Sequence, residues 1–171
     1  MVKLKHPKAK GSNFERKVAK MLSDWSGFEF HRTPMSGALH WANDKRIVSD
    51  IVPPQELVDK GWPFSIECKC CQYDWDFSQI LEGTSTFWKH WKQCWDDAQR
   101  EGMEPLLVFT KNYRDTYITL LFRTYSKFAK SGLHGLNVIQ IQYEGCKLIL
   151  LKFQAFLEHI TLQEVLSKAM V

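Results

Sequence analysis

The residues with the clearest chemical potential lie in one short apolar segment, Phe64 to Cys71, which reads FSIECKCC. Its apolar and polar side chains alternate, which predicts a β-strand. Glu67 and Lys69 are two residues apart and therefore share one face of that strand. Burying a carboxylate and an ammonium in an apolar strand is costly unless both have partners. The pair therefore lies at a solvent-exposed edge or forms a site.

A second acid, in a neighbouring apolar run, favours a site over a solvent-exposed edge. Asp50 interrupts the apolar run Ile47–Val52, which ends at Pro53. If this run is a neighbouring strand, it holds the carboxylates of Asp50 and Glu67 together. Paired carboxylates completed by a backbone carbonyl suit Mg²⁺, and Mn²⁺ is expected to substitute. A lysine beside such a cation can help to deprotonate an attacking water or offset the charge of a phosphate.

A third acid lies in the first predicted helix. Ser12 and Glu15 have the spacing of a capping box, which predicts a helix that begins there and ends at Gly27. Its apolar stripe consists of Phe14, Val18, Met21, Leu22 and Trp25. Glu15 either caps the helix or, from the edge of the stripe beside Leu22, faces the Asp50 site. Both roles are open.

The remaining pattern predicts alternating strands and helices. Strands are expected at 28–32, 47–52, 64–71, 105–110 and 117–122, with a hairpin of 138–143 and 146–152 around Glu144-Gly145. Helices are expected at 55–60, 84–101, 125–130 and from a capping box at Thr161, with residues 74–83 irregular or in a short helix. Helix 84–101 carries Phe87, Trp88, Trp91 and Trp95 at helical spacing, which favours core packing over base stacking.

Composition indicates one intracellular globular domain. The chain has 171 residues, 44% of them hydrophobic, and no internal repeat, so residues 1–171 are predicted to form a single domain. No stretch is apolar enough to span a membrane, and there is no signal-peptide pattern. The five cysteines are expected to be reduced thiols, because their odd number does not suit a disulfide framework, and their spacing does not suit zinc. We therefore expect a cytoplasmic or nucleoid-associated protein.

Positive charge is concentrated at the N-terminus. The net charge is +4, yet residues 1–20 hold seven basic residues against Glu15 alone, a surplus of six that leaves the rest of the chain two negative. These basic residues are Lys3, Lys5, Lys8, Lys10, Arg16, Lys17 and Lys20. Residues 1–11 are predicted to be a flexible basic arm. It either contacts a polyanion such as DNA or only solubilises the chain.

The order of these motifs resembles a known nuclease superfamily. Glu15-Arg16 on a helix, an Arg32-x-x-x-Ser36-Gly loop, Asp50-Ile and Glu67-Cys-Lys69 follow one another as in PD-(D/E)xK nucleases, and most closely as in archaeal-type Holliday junction resolvases. The resemblance covers roughly residues 11–110. It implies an α/β, restriction-endonuclease-like core, in which a central mixed sheet is flanked by helices. The hairpin and last helix would form a C-terminal extension.

The resemblance also implies roles for the acids and the lysine. Asp50 and Glu67 would ligate Mg²⁺, and the backbone carbonyl of Cys68 would help. Lys69 would serve the attacking water, and Glu15 would complete the catalytic site.

The resemblance further implies DNA contacts and assembly. Arg32 and Ser36 would hold a phosphate at or near the cut, and Arg16 would contact the DNA backbone. Relatives act as homodimers that nick two opposing strands of a four-way junction. Gln93 could approach the site but is interpreted as facing solvent. Two alternatives remain: another PD-(D/E)xK nuclease acting on flaps, ends or duplexes, and a non-catalytic DNA-binding protein.

The apolar residues near the C-terminus have two interpretations. Leu148–Leu151, Phe153, Phe156 and Leu157 form a nearly continuous apolar stretch. They either pair two subunits or cover the chain's own sheet.

Overall fold

The computed structural model describes residues 7–33, 49–71, 76–111, 114–128 and 135–168. Within these ranges the strands are β1 (His31–Arg32), β2 (Ile51–Val52), β3 (Phe64–Cys71), β4 (Glu104–Lys111), β5 (Thr116–Leu121), β6 (Val138–Tyr143) and β7 (Cys146–Lys152). The helices are α1 (Pro7–Ser26), α2 (Gln55–Asp59), α3 (Phe77–Leu81), α4 (Thr86–Glu101), α5 (Phe122–Phe128), α6 (Phe153–His159) and α7 (Leu162–Lys168).

All the described strands join one mixed sheet. Its order is β1-β2-β3-β4-β5-β7-β6, and β3 and β4 are parallel while the other neighbours are antiparallel. A parallel pair needs a long crossover, and the segment that carries α3 and α4 supplies it. The α/β architecture expected from the sequence, a mixed sheet flanked by helices and extended by a C-terminal hairpin, is confirmed.

Helices cover both faces of the central strands. Side chains of α1, such as Val18 and Leu22, pack with Ile66 and Val108 on one face, where α5, α6 and α7 also contribute. On the opposite face, the core formed by α4 and the sheet comprises Phe87, Trp91, Cys94, Leu107 and Leu148, among others. Because Glu67 lies on the α4 side of β3, that helix shields its carboxylate from water.

Helix α1 begins earlier than the sequence pattern predicts. It starts at Pro7, and proline is favoured in the first turn of a helix because its φ is already helical. The capping-box prediction is therefore wrong, since Ser12 lies inside the helix and Glu15 does not cap it. The prediction of a flexible arm over residues 1–11 is also wrong for 7–11, which are helical; residues 1–6 lie outside the described ranges.

Several boundaries match the local signals. Helix α4 is followed by Gly102 in the left-handed conformation (φ 68°). The hairpin turn has positive φ at both Glu144 and Gly145. The second capping box is present, because the Thr161 N–H donates to Glu164 Oε2 at 2.9 Å and the Glu164 N–H donates to Thr161 Oγ1 at 3.2 Å.

The expected first strand is shorter than predicted. Of residues 28–32, only His31 and Arg32 pair with β2. The N–H groups of Phe28 and Phe30 instead donate to the hydroxyls of Ser26 and Ser23 at the end of α1. These bonds tie the segment to the helix and delay its entry into the sheet.

The C-terminal apolar residues cover the chain's own sheet. They include Leu148, Ile149, Leu151, Phe153, Phe156 and Leu157, all at most 8% exposed. Phe153, Phe156 and Leu157 lie on α6, a helix that the sequence pattern did not predict. The interpretation of this stretch as a subunit interface is therefore wrong. Among the helices of the described ranges, none combines the length and hydrophobicity needed to cross a membrane.

Candidate active site

Main-chain and side-chain bonds fix Asp50 against β3. The Asp50 N–H donates to the carbonyl of Ile66 at 2.9 Å, and the Cys68 N–H donates to Asp50 Oδ2 at 2.8 Å. On the other side, the Thr33 N–H donates to the Asp50 carbonyl at 2.9 Å. Asp50 therefore directly precedes β2, and its carboxylate is directed at β3, the strand that carries Glu67.

Two donors converge on the Glu67 carboxylate. Lys69 Nζ forms an ion pair with Glu67 Oε1, and Gln93 Nε2 donates to the same oxygen at 2.8 Å. Gln93 is exposed to solvent, as interpreted from the sequence, and its amide nevertheless reaches the Glu67 carboxylate. No local sequence signal marks this contact, because it depends on how α4 lies across β3.

Burial gives Glu67 an unusual affinity for protons. Glu67 is 3% exposed and Asp50 7%. Desolvation, followed by the charge of Asp50, raises the pKa of Glu67 to about 7, although Lys69 opposes the shift. The pKa of Lys69 is raised, because the charges of Glu67 and Asp50 outweigh its own desolvation. Two carboxylates thus share a dry site that holds too few positive charges for both to ionise easily.

This shift predicts how stability depends on pH in metal-free buffer. The pKa of Glu67 is about 7 in the folded chain and near 4.5 in the unfolded one, so the folded state binds the proton more tightly. The contribution of Glu67 to the free energy of unfolding is therefore largest below pH 4.5 and is lost as the pH rises through 7, by at most about 3 kcal/mol. Denaturant unfolding in a chelator should show that loss in the wild type and a flatter profile in Glu67→Gln. Identical profiles would contradict the assignment.

Glu15 and Arg32 form a second polar pair beside these acids. Arg32 Nε donates to Glu15 Oε2 at 2.8 Å, and the two side chains are 26% and 12% exposed. Burial raises the pKa of the Cys68 thiol, and the negative charges of Asp50, Glu67 and Glu15 raise it further. Glu15 therefore also lies near β3. The pair joins α1 to β1 at the edge of the candidate site. Their assigned roles stay predictions.

His90 is a further residue that sequence reasoning did not select. It lies on α4, one turn before Gln93, and is partly buried. Burial and the charge of Lys69 lower its pKa. His90 therefore lies close enough to the Glu67–Lys69 pair for the charge of Lys69 to affect it.

The predicted DNA-contact residues are only partly described. Arg16 is exposed and its Nη1 donates to Asn13 Oδ1 at 3.0 Å, while Lys10 is half-buried in the first turns of α1. Ser36, Lys3 and Lys5 lie outside the described residues, as does the side chain of Lys8. The structure therefore leaves their roles as predictions.

The donor set at Asp50 and Glu67 fits a hard divalent cation. Among the described residues, no group of three or more His, Cys, Asp or Glu side chains could hold a metal ion. Mg²⁺ does not require such a cage, because it is commonly bound through one or two carboxylates, retained waters and substrate phosphates. The hydrogen bonds described above use Oδ2 of Asp50 and Oε1 of Glu67, and an ionised carboxylate has two oxygens with which to accept ligands. A cation would also relieve the repulsion that raises the Glu67 pKa.

Comparison with known proteins identifies the class. Residues 6–167 match the family described as "Phage putative PDDEXK endonuclease", so the chain belongs to that family of PD-(D/E)xK nucleases.

Individual relatives cover nearly the whole chain. Protein D14 of Escherichia phage T5 is 25% identical over 160 residues, which are 92% of this chain and 96% of the relative. Among solved structures, the chain matches Hjc of Archaeoglobus fulgidus, a Holliday junction resolvase from an archaeal hyperthermophile. That match has 15% identity and a TM-score of 0.41, and it covers 92% of this chain and 98% of Hjc.

Proposed function

We propose that this protein is a divalent-metal-dependent endodeoxyribonuclease that nicks branched DNA, with opposing strands of four-way junctions as its substrate. The main support for this proposal is that the buried Asp50 and Glu67 lie on adjacent segments, with Lys69 and Gln93 directed at Glu67. Membership of a PD-(D/E)xK endonuclease family supports the chemistry.

In this proposal, each residue of the site has a distinct role. A bound Mg²⁺ or Mn²⁺ supplies Lewis-acid stabilisation of the phosphate and a more acidic water. Asp50, Glu67 and the Cys68 carbonyl hold the cation, and Gln93 orients the Glu67 carboxylate. The Lys69 ammonium donates a hydrogen bond to the attacking water or the phosphate, and Glu15 completes the site through its contact with Arg32.

Basic residues around the site provide the DNA contacts. Arg32 and Ser36 hold the phosphate at or beside the cut. Contacts farther along the DNA come from Arg16, Lys3, Lys5, Lys8 and Lys10. Charge neutralisation at the phosphate backbone is the main source of affinity that does not depend on sequence.

The junction as substrate is supported by the motif order in residues 11–110. A four-way junction has two equivalent strands to cut, so one active site per chain requires two chains related by a two-fold axis. We therefore propose a homodimer. Since the family is described as a phage family and Protein D14 is a phage protein, we propose that this protein acts on DNA in the cytoplasm of the host cell.

A cleavage assay tests the proposal. Four-way, flapped and linear DNAs of shared sequence are incubated with Mg²⁺, with Mn²⁺ or with a chelator. The proposal predicts metal-dependent, paired nicks near the branch of the four-way DNA and much slower cutting of the linear duplex. Preferential cutting of flaps or ends would favour another PD-(D/E)xK nuclease. Binding without cleavage under every metal condition would favour a non-catalytic DNA-binding protein.

The N-terminal lysines predict a change in salt dependence. Because α1 begins at Pro7, substitution is cleaner than deletion, so Lys3, Lys5, Lys8 and Lys10 are changed together to alanine. If all four contact phosphates, the slope of log affinity against log salt should fall by up to about 3.6, at about 0.9 for each contact. Binding to every DNA shape should weaken. An unchanged slope in a titration monitored by fluorescence anisotropy would mean that these lysines do not contact DNA.

A further inference from the structure

Three basic residues from distant parts of the chain surround one acid. Lys152 Nζ, at the end of β7, lies 2.6 Å from Asp115 Oδ2. Lys17 Nζ, on α1, donates to Thr116 Oγ1 at 3.3 Å. Arg114 immediately precedes Asp115 in the turn between β4 and β5. We refer to Lys17, Arg114 and Lys152 as the basic cluster.

The basic cluster has more positive charge than its neighbours offset. The Asp115 carboxyl has a lowered pKa, chiefly because of its hydrogen bond and ion pair with Lys152, with smaller effects from Lys17 and Arg114. The three cations line an open cleft of about 500 Å³ with Asp115 and Glu158. Lys17, Arg114 and Lys152 are all exposed. Three cations facing two carboxylates leave a net positive surface that an anion can approach.

Strand register relates the basic cluster to the candidate active site. Lys69 is opposite Phe109, Phe109 is opposite Tyr117, and Tyr117 is opposite Lys152. Residues directly opposite one another share a face of the sheet. Lys152 therefore lies in the same row across the sheet as Lys69, three strands away, which corresponds to about 14 Å between the backbones. Lys17 lies on α1, which covers the face opposite α4, so the basic cluster extends across the strand ends from one face to the other.

The basic cluster contributes little to the stability of the fold. The side chains of Lys152 and Asp115 are both 59% exposed, and exposed ion pairs contribute little to stability. Arg114 and Lys152 lie in the region after Thr110, outside the motif resemblance, and the resemblance assigns no role to Lys17. A polyanion that also reaches Lys69 fits both the charge and the position.

We propose that the basic cluster binds the phosphate backbone of a duplex arm of the DNA whose scissile phosphate lies at Asp50, Glu67 and Lys69. This inference rests on the proposed function. A duplex that crosses the strand ends advances about 3.4 Å for each base pair, so a span of about 14 Å corresponds to about four base pairs. The cluster therefore contacts phosphates roughly three to five base pairs from the cut.

The first test compares two triple variants. Lys17→Ala/Arg114→Ala/Lys152→Ala removes the basic cluster. The control Lys60→Ala/Lys127→Ala/Lys147→Ala removes three exposed lysines elsewhere, including Lys147 at the opposite end of β7. Affinity for four-way DNA is measured in a chelator at several salt concentrations. We expect the cluster variant to bind about tenfold or more weakly and to lose up to about 2.7 from its salt slope, while the control keeps the wild-type slope. Circular dichroism checks that both variants are folded.

A second test locates the contact on the DNA. Single phosphates are replaced by neutral methylphosphonates at successive positions along one arm. Replacement three to five base pairs from the cut should weaken binding by the wild type and have no effect on the cluster variant. A cluster variant with the wild-type salt slope and the wild-type methylphosphonate profile would overturn the inference.

The DNA contact of the basic cluster and the proposed function can be contradicted separately. If the wild type cleaves branched DNA with Mg²⁺ but the cluster variant binds normally, only this inference is wrong. If the wild type cleaves no DNA under any metal condition, the proposed function itself is wrong.

Discussion

Asp50→Asn, Glu67→Gln and Lys69→Ala should each lose DNA cleavage by at least about a thousandfold. Each carboxylate change removes the charge of one of the two acids that are proposed to hold the cation. The lysine change removes the cation that faces Glu67. Loss of about 4 kcal/mol of transition-state stabilisation, within the range expected for metal-assisted catalysis, corresponds to a thousandfold decrease in rate. Single-turnover cleavage of four-way DNA with Mg²⁺ measures the effect.

Binding separates this catalytic loss from misfolding. Asp50→Asn and Glu67→Gln should bind DNA in a chelator at least as tightly as the wild type, because each removes negative charge next to a phosphate. Asp96→Asn is the matched control, since Asp96 lies on α4 in an exposed ion pair with Lys92. It should cleave normally. Normal cleavage by Asp50→Asn would eliminate the proposed metal site.

The second large effect concerns paired cutting. A supercoiled plasmid that extrudes a cruciform becomes linear only if both strands are cut before the first nick relaxes the cruciform. A dimer with two active sites should therefore produce mostly linear DNA. When wild-type chains are mixed with an excess of Asp50→Asn chains, the product should be mostly nicked circles. If two active subunits are needed, the yield of linear product should fall as the square of the wild-type fraction.

The same mixing experiment can also contradict the symmetric dimer. A wild-type protein that sediments as a monomer at micromolar concentration and still yields linear product would refute the symmetric dimer. The yield would then fall in simple proportion to the wild-type fraction. The proposal would shift to a nuclease that cuts flaps, ends or duplexes.

Local sequence signals predicted the elements around the site well. β3 spans Phe64–Cys71 as expected, because eight alternating residues between a proline and a polar segment leave little choice of register. The hairpin strands β6 and β7 also have the predicted bounds, since Glu144-Gly145 provides the positive φ angles of a tight turn. These features depend on neighbours in sequence, which a single chain reveals.

Features that depend on distant contacts were missed. Helix α6 follows β7 directly, and its apolar residues, such as Phe153 and Phe156, resemble a continuation of the strand. Only packing against the α1 face of the sheet distinguishes the two. The contact between the exposed Gln93 and Glu67 was not favoured from the sequence for the same reason, because it depends on how α4 lies across β3 rather than on any local pattern.

The closeness of Asp50 and Glu67 could be predicted from the sequence, but the electrostatics of the pair could not. The strand pattern suggested neighbouring segments, and Asp50 directly precedes β2 and bonds to β3. The pattern did not indicate that α4 buries Glu67 deeply enough to raise its pKa to about 7. It also did not indicate that Glu15 pairs with Arg32 across 17 residues of sequence. Burial on both faces of a sheet is a property of the assembled fold.

If Asp50 and Glu67 form one cation site, the metal-free protein should bind Mn²⁺ through these two carboxylates. Titration followed by electron paramagnetic resonance counts free and bound Mn²⁺ without requiring DNA or activity. We expect one Mn²⁺ to be bound by the wild type and by Lys69→Ala, and binding to be lost in Asp50→Asn/Glu67→Gln. Binding by the wild type should also weaken as the pH falls below about 7, where Glu67 takes up a proton. Equal Mn²⁺ binding by the wild type and the double variant would show that Asp50 and Glu67 do not hold the cation.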